Sequence, residues 1–174
     1  KYNDCYIQSH VSENQGEIKW AKSLFPQCKD YLGIYEHFGL LGKRAIYGHG
    51  IWLSDLERQR CAESGTAIAH CPTSNGFLGS GLFNLKQAIH QQVKVGLATD
   101  LGAGTSFSML QTLNQVYKVA QLTGYALSAG EAFYLATRGT ASALYLEEKI
   151  GSIEVGKEAD LVVLDMESTP AISY

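Results

Sequence analysis

Four side chains that can bind metals or move protons stand at or just after short apolar runs. His10 and Glu13 lie in "IQSHVSEN", His49 lies in "IYGHG", and Asp100 ends "VGLATD". Each apolar run is typical of a buried strand, so three of these residues close a predicted strand and Glu13 follows one. Because parallel strands end at the same edge of a sheet, we expect the four side chains to lie close together.

The residue types indicate a metal site. His10, His49 and Asp100 offer two imidazoles and one carboxylate, a set that suits zinc or iron with an open position for water. Glu13 would reach that water and move protons without binding the metal. The structural alternative for Glu13 is a cap on a helix that begins near Gln15.

Other candidates are weaker. His70, in "AHCPTSN", also closes a predicted strand, and the sequence leaves open whether it orients the loop or takes part in the chemistry. Cys71 has no basic partner in the sequence and is expected to be a small buried side chain rather than a nucleophile. His37 and His90 fall in helical or connecting stretches and are expected at the surface.

The elements that must position these residues alternate along the chain. Apolar runs predict strands over 6–10, 44–47, 66–69 and 93–99. Helical spacing predicts helices over 16–25, 54–65, 82–89, 109–120 and 128–146, two of which begin with the capping boxes "SDLE" and "SAGE". "SNGFLGSG" is predicted to be a glycine-rich loop, and "ADLVVLD", at 159–165, is predicted to be a final strand.

This alternation predicts an α/β fold with a parallel sheet. Four β/α units fit within about the first 125 residues. An eight-stranded barrel takes about 250 residues, so the chain corresponds to about half of a TIM-like (β/α)8 barrel. The alternative, a small doubly wound sheet, would show a G-x-G-x-x-G loop, and "GAGTSF" does not match it.

Composition narrows the class of protein. The 174 residues carry a net charge of -3 and are 45% hydrophobic, so there is no electrostatic case for binding nucleic acid or an anionic membrane. No apolar run approaches the length of a membrane span. The four cysteines form no C-x-x-C pair, and we expect reduced thiols and a cytoplasmic location. The chain begins without methionine almost inside a strand, as a piece of a longer protein would.

Two other hydrolytic chemistries do not match the sequence. The H-x-E and P-C-x-x-C signature of one class of zinc deaminases is absent, because "HCPTS" has its cysteine before the proline and no second cysteine. A G-x-S-x-G nucleophile elbow is absent as well, since "GSG" at 79–81 lacks the required spacing.

Longer segments resemble a known family. "SHVSEN", "GHG", "AHCPTSNGFLGSGLFNL" and "GLATDLGAGTSFSMLQTLNQVYKVAQL" resemble the amidohydrolase superfamily of metal-dependent hydrolases, and within it the guanine deaminase family. "EAFYLATRGTASALYLEEKIGSIEVGKEADLVVLD" is similar to the last barrel helix and the return to a small β-sandwich. The resemblance implies the C-terminal half of the barrel over 1–150 and a segment leading into the sandwich over 151–174.

The resemblance also implies roles for the four residues. His10 and Asp100 are expected to be ligands of a single zinc ion. The catalytic residues are expected to be Glu13, the acid/base that shuttles protons, together with His49 and Asp100, which would hold the attacking water. The first-strand H-x-H pair of the family, two further zinc ligands, is missing from the sequence, and most purine contacts are expected in the same missing half. Ala98 stands where the family usually has glycine, a small change that we expect to be tolerated.

The implied activity is hydrolysis of guanine to xanthine and ammonia in purine metabolism, by a homodimer. The alternatives are a deaminase of a related heterocycle (8-oxoguanine, an adenosine-type substrate or a triazine) and an inactive truncated fragment.

Overall fold

A computed structural model describes residues 4–165, and its centre is a parallel sheet with the strand order β1-β2-β3-β4. The strands are β1 (Ile7–Val11), β2 (Ala45–His49), β3 (Ala67–His70) and β4 (Lys94–Leu97). All four were expected from the apolar runs, and the α/β fold with a parallel sheet is confirmed. His49 and His70 are the last residues of their strands, whereas β1 continues one residue past His10.

Helices connect the strands and follow the last of them. Within residues 4–165 they are α1 (Gln15–Leu24), α2 (Tyr31–His37), α3 (Asp55–Ser64), α4 (Pro72–Phe77), α5 (Leu85–His90), α6 (Met109–Leu122), α7 (Ala129–Tyr134), a π-helical turn (Leu135–Gly139) and α8 (Thr140–Ala143). Both predicted capping boxes are present, with Ser54 and Glu57 starting α3 and Ser128 and Glu131 starting α7.

The core lies between one face of the sheet and the helices. Strand residues that share this face are buried, among them Val11, Tyr47, Ile68, Val95 and Leu97. They pack with buried side chains of α2, α3, α5 and α6, such as Leu32, Cys61, Leu85 and Val116. Burial of apolar area on this face fixes the register, because a slip of one residue would turn these side chains away from the core.

The opposite face has small side chains at the level of the site. Here His10 is in register with Gly48, Gly48 with Ala69, and Ala69 with Gly96. A β-carbon on Gly48 would lie 3.1 Å from Cδ2 of His10, so the glycine leaves room for the imidazole.

Two helices were not predicted. Helix α2 occupies a stretch for which no element was predicted, and α4 extends into the first part of the predicted loop "SNGFLGSG". Pro72 is the first residue of α4, a position at which proline favours a helix, and this signal outweighs Gly76.

Two other predictions were wrong. The single helix predicted over 128–146 is interrupted by the π-helical turn, where the hydroxyls of Thr137 and Thr140 donate to the carbonyls of Phe133 and Leu135 and compete with the regular ladder. Residues 159–165 form no strand, and Val163 is 93% exposed. A strand requires a neighbour, and within residues 4–165 no strand pairs with this segment.

Candidate functional site

The candidate site lies at the carboxyl edge of the sheet. His10 is in β1 and Glu13 in the loop that follows it; His49 ends β2, and Asp100 lies three residues beyond β4. One nitrogen of each histidine and one oxygen of Asp100 lie within 4.8 Å of one another. The structure therefore brings together the three residues that the sequence singled out as candidate ligands.

The conformation of His49 decides that it belongs to this group. In register it pairs with Val11, which faces the helices, so strict alternation would point His49 away from His10. His49 instead has φ of 71°, in the left-handed region that non-glycine residues rarely adopt. Its ring meets that of His10 edge-on, with centroids 4.9 Å apart. Such backbone strain is common at functional sites.

A tight turn presents Asp100. Its φ is 49°, and its carbonyl accepts a hydrogen bond of 2.6 Å from the amide of Gly104. A β-carbon on Gly104 would lie 1.8 Å from the carbonyl oxygen of Thr99, so the turn "DLGAG" closes only with glycine at this position.

Glu13 does not cap the helix that follows it. The cap of α1 is Asn14, whose side chain accepts from the amide of Glu17, while Glu17 accepts from the amides of Asn14 and Glu13. The carboxylate of Glu13 points elsewhere: Oε1 accepts a hydrogen bond of 2.8 Å from Oγ of Ser80, and Oε2 lies 3.8 Å from Nε2 of His49. The capping alternative is therefore wrong.

Asn75 fixes the proton position of His49. Nδ1 of His49 lies 2.8 Å from Oδ1 of Asn75, and both side chains are buried. A carbonyl oxygen only accepts, so Nδ1 donates the hydrogen of this bond and Nε2 is the ring nitrogen that faces the site. Neither Asn75 nor Ser80 stands at the end of an apolar run, so no local pattern indicated them, although both lie in the glycine-rich segment that follows β3.

These side chains fit a cation. Nε2 of His49 faces two carboxylates, with Oε2 of Glu13 and Oδ2 of Asp100 each 3.8 Å away. Such an arrangement of electron-rich atoms is unfavourable unless a proton or a metal ion lies among them. Imidazole and carboxylate are ligands that zinc and iron both accept, so the donor set fits a transition-metal ion.

The remaining histidines and Cys71 lie outside this cluster. His70 is fully buried and stacks on Phe83, with ring centroids 4.7 Å apart, and burial lowers its pKa to about 3. Among residues 4–165, neither ring nitrogen of His70 has a hydrogen-bond partner. Burial also raises the pKa of the Cys71 thiol to about 12, which agrees with a buried, unreactive side chain. His37 and His90 are exposed, as predicted.

Comparison with known proteins identifies relatives. The model of the amidohydrolase family matches residues 1–174. Guanine deaminase of Escherichia coli (strain K12) is 53% identical over 170 residues, which cover 98% of this chain and 39% of that protein. A solved structure of E. coli guanine deaminase matches with a TM-score of 0.96 at 52% identity, covering 99% of this chain and 40% of that one.

A more distant structure contains zinc. It is an adenosine deaminase from Xanthomonas campestris with bound zinc, which matches with a TM-score of 0.86 at 30% identity and covers 95% of this chain and 38% of that one. The chain thus spans about two fifths of the length of the relatives that it matches. None of the helices within residues 4–165 is long and apolar enough to cross a bilayer.

Proposed function

Because the chain belongs to the amidohydrolase family, we propose that the whole protein hydrolyses guanine to xanthine and ammonia. The observation that carries this proposal is the convergence of His10, Glu13, His49 and Asp100 at one sheet edge, in a chain 53% identical to a guanine deaminase.

His10 and Asp100 would hold one zinc ion. A catalytic zinc site has three or more protein ligands and a position for water, so two residues do not suffice. We infer that the remaining ligands are two histidines of the first barrel strand. When bound, zinc supplies the Lewis-acid activation that makes water a nucleophile near neutral pH.

The protein side chains would then move the protons. Glu13 accepts a proton from the attacking water and passes it to the ring nitrogen beside the carbon that carries the amino group. The C–O bond forms, and Glu13 would then carry the remaining proton of the added hydroxyl to the amino nitrogen, so that the C–N bond breaks as the C=O bond forms and ammonia leaves. His49, held in one tautomer by Asn75, orients the attacking water through Nε2.

The fold and assembly belong to the same proposal. We infer that residues 1–150 form the C-terminal half of a (β/α)8 barrel and that residues 151–174 lead into a small β-sandwich. Four consecutive parallel strands and the 0.96 TM-score to a deaminase support this assignment. We also infer a homodimer and a cytoplasmic location. The four cysteines all lie within residues 4–165 and none forms a disulfide, which is consistent with a reducing compartment.

The test uses the whole protein with zinc. Xanthine formation from guanine is compared with turnover of adenosine, 8-oxoguanine and a triazine, and bound zinc is measured for wild type, His10→Ala and Asp100→Ala. We expect guanine to be the best substrate and both variants to lose zinc and activity. His37→Ala, at an exposed site on α2, is the control. Better turnover of another ring, or full zinc in both ligand variants, would overturn the proposal.

A further inference from the structure

Ser80 occupies an unusual backbone position between two glycines. Gly79 has φ of 68° and Gly81 has φ of 135°, values that side chains rarely allow. A β-carbon on Gly81 would lie 3.1 Å from Cζ2 of Trp52, so this glycine also permits close approach to the indole. The "GSG" at 79–81 is therefore a turn that fits closely against its surroundings.

Hydrogen bonds fix the backbone of Ser80 on both sides. Its amide donates to the carbonyl of Asn75 at 2.9 Å, and its carbonyl accepts from the indole Nε1 of Trp52 at 2.9 Å. The backbone amide of Trp52 in turn donates to the carbonyl of Ser12, the residue before Glu13, at 3.0 Å. Trp52 thus ties the loop of Ser80 to the loop of Glu13.

The side chain of Ser80 uses this fixed position to hold Glu13. Ser80 is 8% exposed, and its Oγ donates to Oε1 of Glu13 at 2.8 Å. The other carboxylate oxygen, Oε2, is the one that lies 3.8 Å from Nε2 of His49. One oxygen of Glu13 is therefore bound to a side chain and the other faces the candidate metal site.

We propose that Ser80 is a positioning residue that holds Oε1 of Glu13, so that Oε2 is the oxygen that exchanges protons. This inference rests on the proposed function, in which Glu13 is the acid/base. Without the hydroxyl, the carboxylate can rotate about its last bond and spends less time in the geometry for proton transfer. Removal of a hydrogen bond to a charged group changes the rate or equilibrium constant that depends on it by about 10-fold or more.

A double-mutant cycle on the whole zinc-loaded protein tests this role. We expect Ser80→Ala to lower kcat about 10-fold with KM within about 2-fold, since the lost contact acts in the transition state. In the Glu13→Gln background, where no proton is exchanged, Ser80→Ala should lower kcat by less than about 2-fold. Equal effects in the two backgrounds would assign Ser80 a structural role and overturn the proposal.

A control variant and infrared spectra distinguish the role proposed for Ser80 from a general effect of losing a hydroxyl. Ser64→Ala is the matched control: it removes a hydroxyl that lies 2.9 Å from Oγ1 of Thr66, before β3 at the opposite edge of the sheet, and should leave kcat unchanged. Infrared difference spectra need no substrate. The carboxylate stretching band of Glu13 is identified by its absence from the spectrum of Glu13→Gln. Ser80→Ala should shift this band, and an unshifted band would show that Ser80 does not bind Glu13. If wild type does not turn over guanine but the band shifts, the proposed function fails and the contact stands.

Discussion

At the scale of single residues, neighbouring polar side chains divide their tasks. Asn14 and Glu17 together cap α1, and Glu17 also accepts from the hydroxyl of Tyr31. Glu13, next to this cap, takes no part in it with its carboxylate and turns to Ser80 and His49. Stability and proposed chemistry are therefore separable within five residues of sequence.

Substitution of Glu13 tests this separation. We expect Glu13→Gln in the whole protein to keep zinc and its melting temperature, while guanine turnover falls at least about 10²-fold, because the amide cannot exchange protons. Glu17→Ala is the control: it should lower stability by about 1 kcal/mol through the lost capping box and leave turnover near wild type. Zinc content, melting temperature and turnover are measured on one preparation of each variant. Near-normal turnover in Glu13→Gln would end the acid/base assignment.

Acid should destabilise the protein through His70. Burial lowers the folded-state pKa of His70 to about 3, whereas an unfolded histidine titrates near 6.5. Above about pH 6.5 the ring is neutral in both states; below it, the unfolded chain binds a proton that the folded protein excludes, so stability falls as the pH approaches the folded value. His70→Phe removes this proton uptake and retains an aromatic ring beside Phe83.

Urea unfolding of the whole protein at two pH values measures the effect. Between about pH 7.5 and about pH 5, wild type should lose about 2 kcal/mol more unfolding free energy than His70→Phe. His90→Phe, at an exposed position, should behave like wild type. The same acid-induced loss in wild type and His70→Phe would contradict the role given to His70.

At the scale of elements, the register of β1 and β2 controls the site. His10 lies opposite Gly48, and the following residue, His49, leaves the alternation of its strand through its positive φ. Two adjacent residues of β2 thus contribute to the site in different ways. Gly48 leaves room for the imidazole of His10, and His49 provides a ring nitrogen. The backbone beyond His49 is still held to β1, because the amides of Gly50 and Trp52 donate to the carbonyls of Val11 and Ser12 at 2.9 and 3.0 Å.

Substitution of Gly48 by alanine tests whether the imidazole of His10 needs the space left by the missing side chain. In Gly48→Ala the new β-carbon would lie 3.1 Å from Cδ2 of His10, so the imidazole must move by a few tenths of an ångström. We expect zinc affinity of the whole protein to fall about 10-fold, as when a contact that orients a ligand is altered. Gly130→Ala is the control, because its β-carbon would meet nothing within 4 Å. Competitive zinc titration that gave wild-type affinity for Gly48→Ala would exclude this role.

At the scale of the whole molecule, the sheet of the described residues is open. β1 and β4 each have one neighbouring strand within residues 4–165, and the face of the sheet that carries His10 is partly exposed. Large apolar side chains are exposed as well, such as Trp20 at 68% and Val163 at 93%. Open edges and uncovered apolar surface favour association with other chains.

The 174 residues alone should therefore fold poorly. We expect the isolated chain to aggregate or to remain partly molten, with broad thermal unfolding and binding of a hydrophobic dye, because it buries one face of a sheet that a closed barrel buries on both. The whole protein, prepared in parallel, should unfold sharply and bind little dye. A sharp, cooperative transition from a soluble monomer of the isolated chain would contradict this expectation.

Local patterns determined most of the elements. Apolar runs located four strands, and the capping boxes at Ser54 and Ser128 located two helix starts, because these signals depend on neighbouring residues alone. The same patterns identified His10, Glu13, His49 and Asp100 as candidates, since each stands at or just beyond the end of an apolar run. Helix α2 and the π-helical turn were missed, because tertiary packing and threonine hydroxyls outweighed weak local preferences.

Tertiary structure alone decided the orientation of His49 and the contacts that loop residues make with the site. Alternation along β2 would have turned the side chain of His49 toward the helices. The left-handed backbone of His49 instead turns its ring to His10 and Asp100, and no residue type in "IYGHG" specifies this conformation. Ser80 reaches Glu13 across 67 positions, and Asn75 reaches His49 across 26. Such contacts depend on how the loops pack in three dimensions. Neither Ser80 nor Asn75 stands at a strand end, which was the signal from which the meeting of His10, His49 and Asp100 was predicted.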